Sequence, residues 1–244
     1  MRRIDLNCDL GEGAGHDAEL MPLVTSANIA CGMHAGDATM MRETVALAQK
    51  HGVAIGAHPG FADREHFGRH EMKLGAAGLI DLVARQIEAL QRIAAVRHVK
   101  PHGALYNLAA RDAETATAVA TAVRQSGAEL ILFALAGSEL ARVGRTMGLR
   151  VAEEVFADRT YDRDGRLTPR TNANALIEAE TAAVAQVLDV VGEGVVRATD
   201  GTRVAINADT VCLHGDGAHA VAFARRLRAE LRVGGIEVKS FGAG

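Results

Sequence analysis

Aromatic residues are scarce in this sequence, which has no tryptophan and only two tyrosines among 244 residues. Proteins that bind single-stranded nucleic acid stack the bases on aromatic side chains, and this composition offers few such surfaces. The net charge of -3 also provides no basic excess that would attract duplex DNA. We therefore expect no nucleic-acid partner.

Long apolar runs are missing as well. No run approaches the roughly 20 residues that cross a bilayer, and the N-terminal sequence MRRIDLNCDLGEG has no apolar segment of the signal-peptide kind. The three cysteines, Cys8, Cys31 and Cys212, form an odd set without disulfide spacing. The sequence predicts a soluble, cytoplasmic protein without membrane contact, with the cysteines as small buried thiols.

Three common catalytic motifs are also absent. The sequence has no P-loop, no G-x-G-x-x-G after a strand and no G-x-S-x-G elbow. A nucleophilic cysteine at position 8 or 31 would need a paired base, and the spacing does not show one. Nucleotide binding through a P-loop and a serine hydrolase triad are therefore unsupported.

Short β-rich runs alternate with longer helical patterns along the chain, which is typical of βα units around a parallel sheet. No linker, repeat or low-complexity segment divides the sequence, so we predict one (β/α)-barrel domain over residues 1–244. The predicted strands are 3–8, 25–31, 53–58, 98–102, 130–135, 150–157 and 210–214. The predicted helices are 41–50, 76–94, 113–124, 139–147, 175–190 and 218–231.

Ionisable and ligand-type side chains follow nearly every predicted strand. In a parallel barrel the carboxyl ends of the strands meet at one face, where active sites are built. A polar ring at that face is hard to explain by packing alone, so the sequence predicts a site there. Its candidate residues are Asn7, Asp9, Glu12, Cys31, His34, Asp37, His58, Lys100, His102, Ser138, Glu139, Glu154, Asp158, Arg159, His214 and Asp216.

Two long charged loops follow the third and sixth strands. They offer Arg64, Arg69, Arg159 and Arg170 to a carboxylate or a phosphate, although both loops are also compatible with a solvated surface. A separate segment, 195–207, carries Asp200-Gly201 between two β-rich arms and predicts a hairpin. Because it precedes the last strand, we expect the hairpin on the barrel face opposite the site.

Two chemistries fit the predicted polar ring equally well. An aspartate with two histidines on neighbouring strand ends, such as Asp9, His34 and His58, could hold a divalent ion. Without a metal, the same residues, with His102 and His214, would form a hydrogen-bonded acid/base network. The spacing is not that of a compact metal motif, so both alternatives stay open.

Six blocks of this sequence resemble the signature blocks of the LamB/YcsF family, in order along nearly the whole chain. Ala38 departs from the proline expected after HAGD, which should only change how the next helix starts. The blocks are DLNCDLGEG (5–13), ANIACGMHAGD (27–37), IGAHPGFADREHFGRHEM (55–72), VKPHGALYN (99–107), EVFADRTYDRDGRLTPR (154–170) and VCLHGDG (211–217).

The resemblance implies an irregular seven-stranded (β/α) barrel, similar to glycoside hydrolase and polysaccharide deacetylase barrels. It also implies a chain that works with two partner subunits, B and C, to cleave 5-oxoproline to L-glutamate with hydrolysis of ATP. A resonance-stabilised lactam needs activation before water can open it, and phosphorylation of its oxygen would provide this. We expect B and C to do most of the activation while this chain opens the ring.

On this interpretation, Asp9 or Glu12 is the general base, His102 a proton donor and Lys100 the stabiliser of developing negative charge. In deacetylase barrels an aspartate after the first strand and histidines on later strands bind a metal, and Asp9 with His58 lies at comparable points, so analogy adds to the possible divalent metal on Asp9, His34 and His58. The alternatives are a stand-alone metal-dependent amide hydrolase or deacetylase, and a non-catalytic regulatory protein of the complex. The expected substrate-binding residues are Asn7, Arg64, Arg69, Arg159, His214 and Asp216.

Overall fold

A computed structural model of the protein describes residues 2–214 and 220–242. Within these residues the backbone forms ten strands and eight α-helices, which alternate along most of the chain. The strands are β1 (Arg2–Leu10), β2 (Ser26–Ala30), β3 (Ala54–His58), β4 (His98–Val99), β5 (Ile131–Leu135), β6 (Arg150–Phe156), β7 (Val195–Arg197), β8 (Arg203–Ala205), β9 (Thr210–Leu213) and β10 (Ile236–Val238). The helices are α1 (Asp17–Leu20), α2 (Ala38–His51), α3 (Ala76–Gln91), α4 (Gly103–Ala109), α5 (Ala113–Ser126), α6 (Glu139–Thr146), α7 (Glu180–Glu193) and α8 (Ala220–Val233).

Seven parallel strands close into a barrel in the order β1-β2-β3-β4-β5-β6-β9, and β9 pairs again with β1. This confirms the predicted irregular seven-stranded barrel. One further strand was missed: β10 pairs with Arg2–Ile4 at the start of β1, while β9 pairs with 5–8 further along the same edge. With three residues, β10 is too short to give a periodic signal.

The helices pack around the barrel through the apolar faces that the sequence predicts. Leu79, Val83, Ile87 and Leu90 of α3 are all buried. Helix α2 starts at Ala38, and the side chain of Asp37 caps it by accepting from two backbone amides of the first turn. No helix in the described ranges is long and apolar enough to span a membrane.

Two predicted helix starts differ from the structure, and one of them is that of α2, which was predicted from residue 41 and begins at Ala38. The helix predicted from residue 175 begins at Glu180, because the residues before it pair with the loop after β6: Thr160 N–H donates to the carbonyl of Ala175, and Ile177 N–H to that of Asp158. The predicted start of the last helix at residue 218 lies outside the described residues. Helix α4 was not predicted and follows β4 directly.

The predicted hairpin exists as antiparallel β7 and β8, but its predicted position was wrong. Its tip contacts the long loop after β6, on the side where the strands end. Thr199 N–H donates to the carbonyl of Tyr161 at 2.8 Å, and Arg163 pairs with Asp200. The prediction used chain order alone and placed the hairpin at the other face of the barrel. In the structure, backbone hydrogen bonding with the loop after β6 holds the hairpin tip near the carboxyl ends of the barrel strands.

The inside of the barrel is polar. Alternation along β1 directs Ile4, Leu6, Cys8 and Leu10 into the apolar core, while the intervening side chains join a buried hydrogen-bonded network. Buried polar groups require partners, and these have them. The buried members are Asp5, Asn7, Ser26, Asn28, His98, Lys100, Glu154 and Thr210.

Candidate active site

A cleft of about 690 Å³ opens at the carboxyl ends of the strands. Its floor joins the polar barrel interior, and its rim is formed by the loops after β3 and β6. The predicted mouth therefore exists as a concave site. Its ionisable lining residues are Asp9, Glu12, Asp17, His58, Arg69, Glu71, Lys100, His102, Tyr106, Arg111, Arg159, Asp162, Arg166, Arg170 and His214.

Lys100 lies at the centre of the charged floor. Its ammonium is 2.9 Å from Oδ1 of Asp9 and 2.9 Å from Oε1 of Glu154, and it also donates to Sγ of Cys212 at 3.0 Å. Burial alone would lower the pKa of Lys100, but these neighbours raise it well above its usual value. The lysine is therefore a fixed positive charge beneath the cleft.

Asp9 lies between this cation and the histidines. Asn28 donates to Asp9 Oδ1 at 2.8 Å, and Oδ2 lies 3.3 Å from Nε2 of His58. Burial would raise the pKa of Asp9, but His58 and Lys100 hold it well below its usual value. The same carboxylate favours the charged form of His58: burial lowers the pKa of His58, and Asp9 more than offsets this.

Glu12 is the second carboxylate of the floor, and three histidines surround its Oε1. That oxygen lies 3.2 Å from Nε2 of His34, 3.3 Å from Nδ1 of His102 and 3.7 Å from Nε2 of His58. Burial would raise the pKa of Glu12, but hydrogen bonds from His102 and His34 lower it to about 2. Both carboxylates of the floor are therefore ionised at neutral pH. Burial lowers the pKa of His34 to about 4.

The histidines and carboxylates form groups that could hold a metal ion. Glu12, His34, His58 and His102 bring one potential ligand atom each within 4.8 Å of one another. Asp9 groups instead with Cys212 and with His214, and an exposed group combines Asp63, His66 and His70. Asp9, His34 and His58, expected as one ligand set, do not form a group of this kind among the described residues.

Two arginines, Arg159 and Arg170, also line the cleft. Arg159 is buried, and its side chain donates to the backbone carbonyls of Ala175 and Thr168. Burial and the nearby Arg170 lower the pKa of Arg159. The guanidinium of Arg170 lies 3.1 Å from Nε2 of His214, whose other ring nitrogen contacts Asp158. Two neighbouring guanidiniums facing a cleft are suited to an anion.

The remaining predicted binding residues have different positions. Asn7 lies beneath the cleft floor and donates to Glu154 at 2.9 Å, and Arg64 donates to the carbonyls of Gly32 and Gly36 outside the cleft lining. Arg69 lines the cleft and lies over the ring of Phe67. Asp216 is outside the described residues.

Sequence reasoning missed several members of the floor. Tyr106 donates to Glu154 Oε2 at 2.7 Å, and Asn28 links His98 to Asp9. Gly56 makes room for the His98 ring, because a Cβ there would lie 2.0 Å from it. The available signal was the strict alternation of polar and apolar residues in β1. In a closed barrel one face of each strand points into the barrel interior, so this alternation indicates a polar interior.

All three cysteines are free and buried, as predicted. Burial raises the pKa of Cys8 and Cys212 well above the usual value and that of Cys31 to about 12. A buried neutral thiol is a poor nucleophile. The chemistry of the site therefore belongs to the carboxylates, histidines and cations.

The fold and the site define a parallel (β/α)-barrel protein whose acid/base cleft lies at the strand ends. The chain belongs to the LamB/YcsF family, whose sequence profile matches residues 4–243.

Its similarity to known relatives extends over the full chain. It is 51% identical to the A subunit of 5-oxoprolinase from Tolumonas auensis, over 98% of this chain and 100% of the relative. It is 52% identical to the corresponding 5-oxoprolinase protein of Bacillus subtilis, over 98% and 96%. The crystal structure of a lactam utilization protein from Thermus thermophilus has a TM-score of 0.92 and 45% identity, over 98% and 100%.

A more distant similarity concerns the fold alone. A T48 deacetylase structure superimposes with a TM-score of 0.52 at 12% identity, over 97% of this chain and 87% of that one. The expected likeness to deacetylase barrels is confirmed at the level of the backbone.

Proposed function

We propose that this chain is the ring-opening component of an ATP-dependent 5-oxoprolinase, which cleaves 5-oxoproline to L-glutamate as ATP is hydrolysed to ADP and phosphate. Relatives about 50% identical over the full chain bear the name of the A subunit of 5-oxoprolinase. The observation that carries the chemical role is Lys100, whose ammonium lies beside Asp9 at the floor of a cleft that also contains Glu12 and His102. These groups can accept a proton, donate one and stabilise negative charge within one cavity.

Asp9 is the proposed general base, with Glu12 as the other carboxylate able to serve. Asp9 is ionised, as an acceptor must be, although its cationic neighbours make it a weak base at rest. In the phosphorylated lactam the exocyclic oxygen carries the phosphoryl group, so negative charge develops on the attacking water oxygen as Asp9 takes its proton, and Lys100 stabilises that charge. The C–N bond of the hydrated carbon then breaks, the nitrogen is protonated, and hydrolysis of the resulting acyl phosphate releases phosphate and glutamate.

His102 is the proposed proton donor to the departing ring nitrogen. It lines the cleft beside Glu12, and its Nε2 is fixed by the carbonyl of Phe67 at 2.8 Å. A positioned imidazole typically contributes 10²–10⁴-fold as a general acid. Opening the lactam needs this donor because an amide anion is a poor leaving group.

Arg159 and Arg170 are the proposed anchors for substrate anions, with His214 beside them. 5-Oxoproline carries a carboxylate, and an activated form with a phosphorylated lactam oxygen carries a second anion. The two guanidiniums offer donors to either group from one wall of the cleft. Arg69, at the rim, is a further candidate.

In this proposal ATP is used by a complex that also contains the partner subunits B and C. The relatives' name denotes one component of a larger enzyme, and we propose that subunits B and C activate the lactam with ATP before this chain opens it. The absence of a P-loop from this sequence is consistent with that division. The cytoplasm, where ATP is available, is the proposed location.

A stand-alone metal-dependent amide hydrolase is the second candidate, because Glu12 and three histidines could hold an ion. It would need neither ATP nor partners. The two functions separate in one reconstitution, which measures glutamate released from 5-oxoproline by this chain alone, by B and C alone, and by all three, with and without ATP. Activity only in the complete ATP-fed mixture supports the proposal. Full activity without this chain would reduce it to a regulatory role, and ATP-independent amide hydrolysis by this chain alone would favour the second candidate.

A further inference from the structure

Two imidazole nitrogens and one carboxylate oxygen converge at the cleft floor. Nδ1 of His58 lies 2.8 Å from the carbonyl oxygen of Lys100, and Nε2 of His102 lies 2.8 Å from that of Phe67. A carbonyl oxygen only accepts hydrogen bonds, so each of these nitrogens carries the N–H. The other two nitrogens, Nε2 of His58 and Nδ1 of His102, lie 2.9 Å apart and are the atoms that a bound cation would meet. In the metal-free protein a hydrogen bond joins them, with Asp9 and Glu12 as neighbouring acceptors.

Glu12 adds a third ligand atom at the same point. Its Oε1 lies 3.3 Å from Nδ1 of His102 and 3.7 Å from Nε2 of His58, and an ionised carboxylate also only accepts. His34 donates from Nε2 to the same carboxylate at 3.2 Å. Two imidazoles whose outer N–H groups are held by carbonyls, together with one ionised carboxylate, form a ligand set that can exchange the proton between the rings for a cation.

We propose that Glu12, His58 and His102 together bind one divalent transition-metal ion, and that His34 positions Glu12 through its hydrogen bond. A point equidistant from the three ligand atoms lies about 2 Å from each, which is the bond length of such ions to imidazole nitrogen and carboxylate oxygen. The separations of the three atoms therefore already suit an ion. This inference deepens the proposed function and rests on it, since it adds a metal to the same cleft. In the metal-bound form Glu12 and His102 would serve as ligands, in place of the roles of alternative base and proton donor, while Asp9 would remain the base.

The ligand chemistry narrows the ion. Two imidazoles and one carboxylate suit Zn²⁺, Co²⁺ or Mn²⁺, whereas Mg²⁺ and Ca²⁺ prefer oxygen ligands. Each histidine donates its other N–H to a backbone carbonyl, which fixes the ring and selects the nitrogen that remains free to bind. Both histidines and Glu12 line the cleft, so the site is reachable from solvent and leaves a position toward the substrate.

His34 is assigned a positioning role because of its orientation. Its ring stacks on that of His102 with centroids 3.8 Å apart and an interplanar angle of 5°. Two parallel stacked rings cannot both direct an in-plane lone pair at one ion. Asp9 is also outside the set, because Lys100 and Asn28 hold its Oδ1 and it lies beside only one of the two histidines.

Direct binding tests this inference on the isolated full-length chain. The protein is stripped with a chelator, dialysed and titrated with Co²⁺, read by visible absorption, and with Zn²⁺, read by calorimetry. We expect one equivalent of each to bind at micromolar concentration or tighter, and Zn²⁺ to raise the thermal midpoint of the wild type. Glu12→Gln and His102→Gln should each weaken binding by more than the roughly 100-fold that loss of an outer-shell partner costs.

The exposed group of Asp63, His66 and His70 supplies the matched control. His70→Gln should bind Co²⁺ and Zn²⁺ as the wild type does. If the wild type takes up no stoichiometric metal, the proposal is overturned and the two rings only share a proton. The proposal is also overturned if His70→Gln loses metal uptake while His102→Gln retains it. The wild-type titration decides the matter even if a variant misfolds. Metal uptake by a chain that is inactive in the reconstitution would contradict only the proposed function, whereas an active, metal-free complex would contradict only the metal.

Discussion

The ammonium of Lys100 lies 2.9 Å from Oε1 of Glu154, a carboxylate fully buried inside the barrel. The same ammonium contacts Asp9 at the cleft floor. One cation therefore pairs with Glu154, a structural carboxylate below it, and with Asp9, the proposed reactive carboxylate above it. This arrangement couples the stability of the barrel interior to the chemistry of the cleft.

Replacing Lys100 should damage both properties. Lys100→Met leaves Asp9 and Glu154 without their cation, and removal of one partner from a buried pair typically costs about 3–5 kcal/mol. We expect a fall of that size in the free energy of unfolding, measured in urea, and at least a roughly 100-fold loss of glutamate release by the folded complex. Lys50→Met, at an exposed site of α2, is the control and should change neither. Unchanged release by folded Lys100→Met would refute the stabiliser role.

Replacing Tyr106 tests whether its hydroxyl stabilises the buried carboxylate of Glu154. Tyr106→Phe removes the hydroxyl that donates to Oε2 and should cost about 1–3 kcal/mol of stability, because the acceptor remains buried. Tyr161→Phe removes the other tyrosine hydroxyl, which accepts from the backbone of Phe156 and is outside the cleft lining. We expect only the first variant to lower kcat as well. Coupling between Tyr106→Phe and Glu154→Gln in a double-mutant cycle should be nonzero, and strict additivity would rule out the contact.

Arg170, which lines the cleft, should contribute to the binding of 5-oxoproline. Arg170→Gln removes one charged donor, and a hydrogen bond to a charged group is typically worth about 1.5–3 kcal/mol. We expect KM for 5-oxoproline to rise about 10- to 100-fold with a smaller change in kcat. Arg163→Gln, which loses only a surface pair with Asp200, is the matched control. If Arg170→Gln changed only kcat and left KM unchanged, Arg170 would not be an anchor for the substrate carboxylate.

His98 should make the protein sensitive to acid. Burial and the nearby Lys100 lower its pKa to about 3, while an unfolded histidine titrates near 6.5. The unfolded chain then binds the extra proton, so the stability that neutral His98 contributes is present above pH 6.5 and is lost progressively as the pH falls toward 3. Between pH 6.5 and 5 the free energy of unfolding of the wild type should fall by about 2 kcal/mol more than that of His98→Asn.

The exposed residue His51 supplies the control for this experiment. His51→Asn should follow the wild-type dependence on pH, since its side chain is in solvent in both states. Urea unfolding at several pH values gives all three curves. Parallel curves for the wild type and His98→Asn would show that His98 is not held neutral by the fold.

Much of this architecture could be predicted from the sequence, because its signals are local. Helix α3 shows helical spacing of apolar residues, and each barrel strand is a short β-rich run before a polar turn. The cleft followed from these, since parallel strands end together. The single-domain organisation over residues 1–244 stays a prediction.

The partners within the cleft could not be predicted, because they depend on contacts between distant strands. Glu154 and Lys100 are brought together only by barrel closure, and the ring orientations of His58 and His102 depend on backbone carbonyls that sequence does not place. The hairpin was misplaced for the same reason. Its arms are local signals, whereas its docking on the loop after β6 is a long-range contact.

Asp9→Asn in the reconstituted three-subunit enzyme tests the central claim most directly. The substitution keeps the side-chain size and removes the charge that the proposed base requires, and Asp81→Asn, on the exposed face of α3, is its control. The measurement is glutamate released from 5-oxoproline with saturating ATP. We expect Asp9→Asn to lose about 10²–10⁴-fold of the rate, as removal of a general base does, while Asp81→Asn keeps it. Wild-type rates from a folded, assembled Asp9→Asn enzyme would contradict the assignment of ring opening to this residue.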